Sequence, residues 1–423
     1  MTKDLPDWFR EGYGNIWLPY AQMQTVGEAL PVVATDGVMI ELADGRRLID
    51  GIASWWTACH GYNNPQMQEK IIAQVKNMSH VMLGGLVHEG AATLAKRLAD
   101  LLPGDLNHVF FSESGSVSVE IALKMAAQYW INLGEQGHSR FVCFRSGYHG
   151  DTTAAMSVGD SEAGMHKAFS GFLSQQFLQP LPETDQEMAE FNEFLAEHKG
   201  QIAAVIMEPL VQGAGGMKFH GPETLAAIAK ICFKHDVLLI LDEIFTGFGR
   251  TGTMFACEQA DITPDIICLG KALTAGTVAM AATVATDRVY DAFLSDDADK
   301  AFMHGPTYMA NPLACAAANA SLDIFRDEPV LDRVRRIEGH LMQSLGQFRG
   351  LPGVVDVRVK GAIGVIQMKE IGDLAALRQQ FADEGVWIRP FGDIIYLTPS
   401  FSMESHELAA LTQAIDKVLN SRE

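Results

Sequence analysis

Through the middle of the chain, short apolar runs that stop abruptly at a polar or glycine position alternate with longer stretches of helical period. Val237 to Leu241 is a run of mostly branched residues ending in Asp242 and Glu243, and Ile266 to Leu269 ends in Gly270 and Lys271. Such runs predict strands buried on both faces that deliver a polar side chain at the carboxyl end. The alternation continues with HVFF before the helix SVEIALKMAAQYW, FVCF before a glycine-containing loop, IAAVIMEP before QGAGG and the helix PETLAAIAKICFKHD, and then AMAATVAT. Strand and helix in turn predict an α/β fold with a mostly parallel, doubly wound sheet. Loops after parallel strands gather at one sheet edge, where open α/β sheets bind ligands. Ser114, Tyr148, Glu208, Asp242 and Lys271 are therefore expected to meet there.

The two ends of the chain read differently. In VMIELADGRRLID, Asp44-Gly45 turns between two short runs as a hairpin does. NIWLPYAQM precedes it and IASWWTACHGYNNP follows, which gathers Tyr20, Trp55 and Trp56 with no long helix to bury them. Core aromatics under a small β layer are the plain reading. Yet neighbouring side chains on a strand point to opposite faces, so one tryptophan is expected to face a cavity. Asn64-Pro65 opens a helix continued by MQEKIIAQVKNM. After the helix NPLACAAANASLDIF the period changes. VVDVRVKG, IGVIQMKE, LAALRQQFADEG, VWIRP, IIYLTPS and ELAALTQAIDKVL predict a compact α+β unit. The expected divisions are an amino-terminal segment 1–58 packing with the small domain, a large domain 59–326 and a small domain 327–423.

With 423 residues and 48% hydrophobic content, the chain can bury two cores. A formal net charge of −20 argues against nucleic acid or an anionic membrane as partner, since either calls for a basic face. A site for an anion must therefore supply its own local positive charge. The six cysteines are scattered without a CxxC pair, which predicts reduced core residues of a cytoplasmic protein and no disulfide framework or metal site. The start MTKDLPDWFREGYG is polar and mixed, so neither a cleavable leader nor a membrane segment is expected there.

An acid and an amine delivered by adjacent strands suit a cofactor with a protonated ring nitrogen and an aldehyde, which is pyridoxal phosphate. Other readings compete. LLILDE resembles the metal-binding strand of a P-loop nucleotidase, but no GxxxxGK[ST] occurs. Gly247, Gly249 and Gly252 satisfy GxGxxG, yet Pro264 follows too soon for a crossover helix. Asp242 and Lys271 taken singly could be surface charges at strand ends. Ser114, Gly115 and Ser116 precede an amphipathic helix and form either a phosphate seat or an ordinary cap. Tyr148 offers a flat ring to a heterocycle, or merely packs.

Taken together, SGS, GYHGDT, EPLVQGAGG, LILDEIFTGFGRTG, CLGKAL and HGPTYMANPLACAAANA resemble, in order and spacing, the motifs of class III aminotransferases, of pyridoxal-phosphate fold type I. The resemblance implies that Lys271 bonds the cofactor's aldehyde carbon and shuttles a proton, and that Asp242 pairs with the ring nitrogen. It implies that Ser114, Gly115 and Ser116 seat the phosphate and that Tyr148 stacks on the ring, with Glu208 and Asp151 behind them. Pro306 and Thr307 would reach the cofactor of a second subunit in a homodimer. Within the family, SWWTACHGYNNP, NIWLPY and GVWIRPFG resemble the branch that serves biotin biosynthesis, in which S-adenosylmethionine donates the amino group and 8-amino-7-oxononanoate accepts it. On that likeness Arg389 clamps the acceptor's carboxylate, Tyr20, Trp55, Trp56, Tyr148 and Gly305 line its channel, and Tyr20 also serves the chemistry. Two positions depart from the pattern. Ala214 stands where many members carry a glutamate, which leaves Arg389 without a switch partner, and Leu18 stands where that branch usually has histidine. Another class III ω-aminotransferase using lysine, a diamine or an ω-amino acid is the nearest rival. A scaffold without catalysis is a further one, opposed by the presence of both Lys271 and Asp242.

Overall fold

The computed structural model describes residues 5–421. Two compact units divide the chain, one made of Gln66–Leu331 and the other of the described residues up to Pro65 together with those from Asp332 onward.

The larger unit is built on a seven-stranded sheet in the order Leu106–Ser112, Ala281–Thr286, Ile266–Leu269, Leu238–Asp242, Ile202–Met207, Arg140–Phe144 and Phe177–Gln179. Four of these strands are buried along their whole length, as continuous apolar runs require when helices cover both faces. Leu238–Asp242 and Ile266–Leu269 are parallel neighbours, with Ile240 opposite Ile266 and Asp242 opposite Cys268. That register brings the ends carrying Asp242 and Lys271 to one edge. Ala281–Thr286 differs from the expected direction, since it runs antiparallel to both its neighbours. The link from Leu269 to Ala281 holds only a short 3₁₀ turn, too little for the crossover that parallel pairing demands, so the chain reverses.

Helix Gly115–Asn132 is apolar on most of its circumference and lies in the core, burying Val119, Ile121, Ala122, Leu123, Ala126, Tyr129 and Trp130. The buried Ser118 hydroxyl is satisfied: its Oγ lies 2.9 Å from Thr283 Oγ1, which in turn donates to the Ser118 carbonyl at 2.9 Å. The helix start is thereby pinned to the central sheet. The hydrophobic pattern above names no element for Glu89–Leu101, Asp185–His198 or Val330–Gly346, and all three are helices.

In the smaller unit, Met39–Leu42 and Arg47–Asp50 form the expected hairpin, and Gly45 at φ 84° makes its turn. These strands belong to a four-stranded sheet whose last member is Val386–Trp387, paired parallel to Arg47–Asp50. A second sheet joins Val354–Lys360, Ile363–Met368 and Ile394–Leu397, with helices Leu374–Asp383 and Ser405–Asn420 following the pattern. All six cysteines are free and buried. Among the described residues no helix is long and apolar enough to cross a membrane, and no acidic, histidine and cysteine cluster could hold a metal ion.

Candidate active site

Asp242 is the last residue of its strand, and its side chain is 6% exposed. One carboxylate oxygen accepts from the Ile244 amide at 3.1 Å, and the other lies 2.8 Å from Nδ1 of His149, whose side chain is 1% exposed. A carboxylate this deep persists as an ion only where a cation or donors compensate it. Burial pulls the His149 imidazole down, but its hydrogen bond to Asp242 and the charges of Asp242 and Glu208 outweigh that and hold it above its ordinary value. The hydrogen bond from the His149 ring holds the Asp242 side chain in place. His149 was not among the residues expected from sequence.

Glu208 ties two loops together. Its carboxylate accepts from the Tyr148 amide at 3.0 Å and the Gly213 amide at 2.8 Å. Burial pushes its carboxyl up to about 7, with the nearby Asp242 charge adding to the rise against the pull of His149 and the two amides.

Lys271 follows directly on strand Ile266–Leu269 and Gly270, in the left-handed region at φ 45°. Burial lowers its amine below the ordinary lysine value, against the opposing pull of Asp242, Glu208 and Asp151. A lowered value raises the fraction of neutral amine, the nucleophilic form.

The start of helix Gly115–Asn132 lies in the same cluster. Ser114 is its cap, accepting from the Val117 amide at 3.3 Å. A β-carbon at Gly115 would come within 3.0 Å of the Ile244 side chain, so glycine lets these loops approach without displacing it. Ser116 Oγ accepts from the Asp151 amide at 3.0 Å. Gly150, at φ 123°, leaves room for that bond, since a β-carbon there would fall 2.2 Å from Ser116 Oγ. The Tyr148 hydroxyl donates to Asp151 at 3.0 Å, the same oxygen lies 2.9 Å from Nε2 of His166, and the two rings stack at 5.7 Å. Sequence placed Tyr148 against a heterocycle; the structure supplies His166 against one of its faces.

The smaller unit carries a cavity of about 370 Å³ lined by Tyr20, Trp55, Trp387, Arg378 and Arg389. The Arg389 guanidinium lies over the Trp55 ring at 4.6 Å, and Tyr20 meets that ring edge-on at 6.0 Å. Among the described residues no carboxylate pairs with Arg389, whose guanidinium burial pulls below its ordinary value. Trp56 does not line this cavity: it is buried, with its ring 6.3 Å from that of Tyr396. The two tryptophans part in a left-handed turn and not along a strand, since Ala53, Ser54, Trp55 and Trp56 all have positive φ. Gly305 and Thr307 are exposed and Pro306 partly so; among the described residues no side-chain hydrogen bond ties Thr307 to the cluster within the chain.

The sequence profile described as "Aminotransferase class-III" matches residues 21–419. The chain belongs to the class-III aminotransferase family. This aminotransferase is 44% identical over 415 residues to the adenosylmethionine-8-amino-7-oxononanoate aminotransferase of Corynebacterium glutamicum, covering 96% of the chain and 97% of the relative. It is 44% identical over 413 residues to the protein of that name from Mycobacterium leprae, covering 96% and 94%. Among solved structures, the like-named enzyme of Methanocaldococcus jannaschii superposes with TM-score 0.92 at 33% identity, covering 98% of each chain. A thermostable (S)-enantioselective omega-transaminase from Thermomicrobium roseum superposes with TM-score 0.89 at 28% identity, again covering 98% of each. The aminotransferase has fold type I, a large α/β domain with a mixed sheet and a smaller domain.

Proposed function

We propose that the chain transfers the amino group of S-adenosylmethionine to 8-amino-7-oxononanoate, yielding 7,8-diaminononanoate, with pyridoxal phosphate as cofactor. The observation that carries the chemistry is the placing of an amine of lowered basicity, Lys271, beside the end of the strand that holds the buried Asp242–His149 pair. The choice of substrates is supported by the names of relatives matching at 44% identity over nearly the whole chain.

The residues fit the cofactor. A helix start free of β-carbon at Gly115 offers backbone amides to a phosphate dianion. Asp242, held in place by His149, suits a protonated ring nitrogen, and Tyr148 and Ser116 border the same loop cluster. When bound, pyridoxal phosphate supplies an aldehyde that takes up the amino group and a ring that accepts electrons. Lys271 would hold the cofactor at its aldehyde carbon and would move a proton at the substrate's carbon, for which its amine must be neutral. Glu208 and Asp151 set the loops that carry Tyr148. Arg389, without a carboxylate of its own, clamps the acceptor's carboxylate, while Tyr20 and Trp55 cover its alkyl chain.

The working unit in this reading is a homodimer. Exposed Val87, Met303 and Tyr308 form the apolar surface it covers, and Thr307 serves the phosphate of the second copy's cofactor. Six free, buried cysteines support a reducing, cytoplasmic setting.

The deciding experiment mixes the holoenzyme with S-adenosylmethionine and follows its visible absorption. Loss of the band, restored by 8-amino-7-oxononanoate, is expected. Bleaching by lysine or another amine but not by S-adenosylmethionine would overturn the assignment in favour of an ω-aminotransferase with a different donor.

A further inference from the structure

Four consecutive residues of the smaller unit, none of them glycine, occupy the left-handed region: Ala53, Ser54, Trp55 and Trp56 have φ of 45°, 47°, 57° and 74°. A run of β-carbon-bearing residues persists there only where its surroundings over-determine it. The surroundings are specific. The buried Asp50 carboxylate accepts from the Ile52 amide at 2.9 Å with one oxygen, and from the Ser54 amide at 2.7 Å and the Tyr62 hydroxyl at 2.6 Å with the other. With that hydrogen committed, the Tyr62 oxygen can accept from Ser54 Oγ, also 2.6 Å away. Tyr62 is itself anchored, because its amide donates to the Gly37 carbonyl at 2.6 Å and its carbonyl accepts from the Gly37 amide at 3.2 Å.

The turn separates two adjacent indoles, burying Trp56 and setting Trp55 in the cavity beneath the Arg389 guanidinium. Neither Asp50, Ser54 nor Tyr62 lines that cavity. Any effect of Tyr62 on a ligand there must pass through the turn. Resting on the assignment of this cavity to the acceptor, we propose that Tyr62 is a positioning residue for the amino-ketone. Through Asp50 and Ser54 it holds the left-handed turn that aims Trp55 at Arg389.

The test compares holoenzyme variants Tyr62→Phe, Trp55→Ala and the double variant. Tyr62→Phe is expected to raise the acceptor KM about tenfold while the rate at which S-adenosylmethionine bleaches the enzyme stays within about twofold. In the Trp55→Ala background the same change should raise KM no further, since a residue acting through Trp55 has nothing left to act on. Independently of turnover, the fluorescence contributed by Trp55, taken as wild type minus Trp55→Phe, should shift in Tyr62→Phe. An unchanged acceptor KM, an equal rise with Trp55 absent, or an unchanged Trp55 emission overturns the proposal. If the wild type fails to aminate the amino-ketone, the functional assignment falls, and the emission comparison still decides whether Tyr62 holds the turn. Should Tyr62→Phe not fold, Ser54→Ala removes the partner hydroxyl and is read the same way.

Discussion

His149 Nδ1 lies 2.8 Å from Asp242 Oδ2, and both side chains are almost wholly shut off from solvent. The pair is the electrostatic centre of the candidate site: without the imidazole, the Ile244 amide is the hydrogen-bond donor left to the buried carboxylate among the described residues.

His149→Ala is accordingly expected to destabilise the protein by about 3–5 kcal/mol, the usual cost of breaking a buried charged pair. The sign of its pH dependence follows from the raised imidazole value. A histidine more basic in the folded state stabilises fully below its unfolded value of about 6.5 and ceases to as pH climbs through the folded one. Urea unfolding of wild type and variant at a series of pH values should show the largest gap on the acid side. A gap that widens with rising pH would show that the imidazole is neutral in the fold.

Asp242→Asn tests the chemical role separately. The amide keeps the shape but cannot hold a proton on a ring nitrogen, so turnover should fall by at least about 10³-fold. Steady-state kinetics with saturating cofactor measures it, and circular dichroism checks that the fold survives.

Lys271→Ala should likewise lose turnover by at least about 10³-fold. Its stability should hold or rise, because the variant no longer carries a desolvated amine. Substantial transamination by this variant would mean that another amine does the work.

A second carboxylate gives a prediction away from the chemistry. Glu243 is fully buried and holds the following loop by accepting from the amides of Ala256 at 2.7 Å and Cys257 at 2.8 Å. Burial, outweighing those bonds, raises its carboxyl from 4.5 to about 7. Between these two values the folded state holds a proton that the unfolded chain has released, so stability falls as pH rises from about 4.5 to 7, by on the order of 3 kcal/mol. Glu243→Gln should flatten that part of the stability curve. An equally steep fall in the variant would assign it to other groups, Glu208 first among them.

How much of this was legible in the chain depends on what each feature leaves in the sequence. Strands Leu238–Asp242 and Ile266–Leu269 could be read because buried strands demand unbroken apolar runs, and the acid and the lysine mark where the runs stop. The reversed direction of Ala281–Thr286 could not, because a buried strand has the same composition whichever way it pairs. Helix Asp185–His198 carried a readable signal in the capping box of Thr184 and Glu187, whereas Glu89–Leu101 is capped by His88, a residue with little cap preference. His149 stands beside Tyr148 in a motif that was read, but its pairing with Asp242 is a tertiary fact that no local spacing reveals. The left-handed turn at Ala53–Trp56 was hidden for a different reason, since no glycine announces it.

Arg389 lies over Trp55 with no acidic partner among the described residues, so its positive charge is available to a ligand. Arg389→Gln should raise the KM for a carboxylate-bearing acceptor by roughly 10- to 100-fold, the worth of one charge-assisted contact. Acceptors lacking the carboxylate should be affected far less. Arg389→Lys should recover only part of the loss, because a point charge does not reproduce the planar fork or its stacking on the indole. Equal losses for charged and neutral acceptors would remove Arg389 from the role of clamp.

The last prediction concerns assembly. Met303 and Tyr308 are 82% and 61% exposed and Val87 is 74% exposed. The Tyr308 ring lies 4.8 Å from that of His80, which brings the segment leading to Val87 beside the one that carries Thr307. Single exposed apolar side chains are ordinary, but several on two adjoining segments are the surface that the proposed homodimer would cover. A charge introduced there must be desolvated on association, so Met303→Glu should shift the protein toward monomer in light scattering at micromolar concentration. If Thr307 completes the site of the second copy, turnover per chain should fall in step with the dimer fraction and return as concentration is raised. A monomeric variant with full turnover would show that each chain holds a finished site of its own.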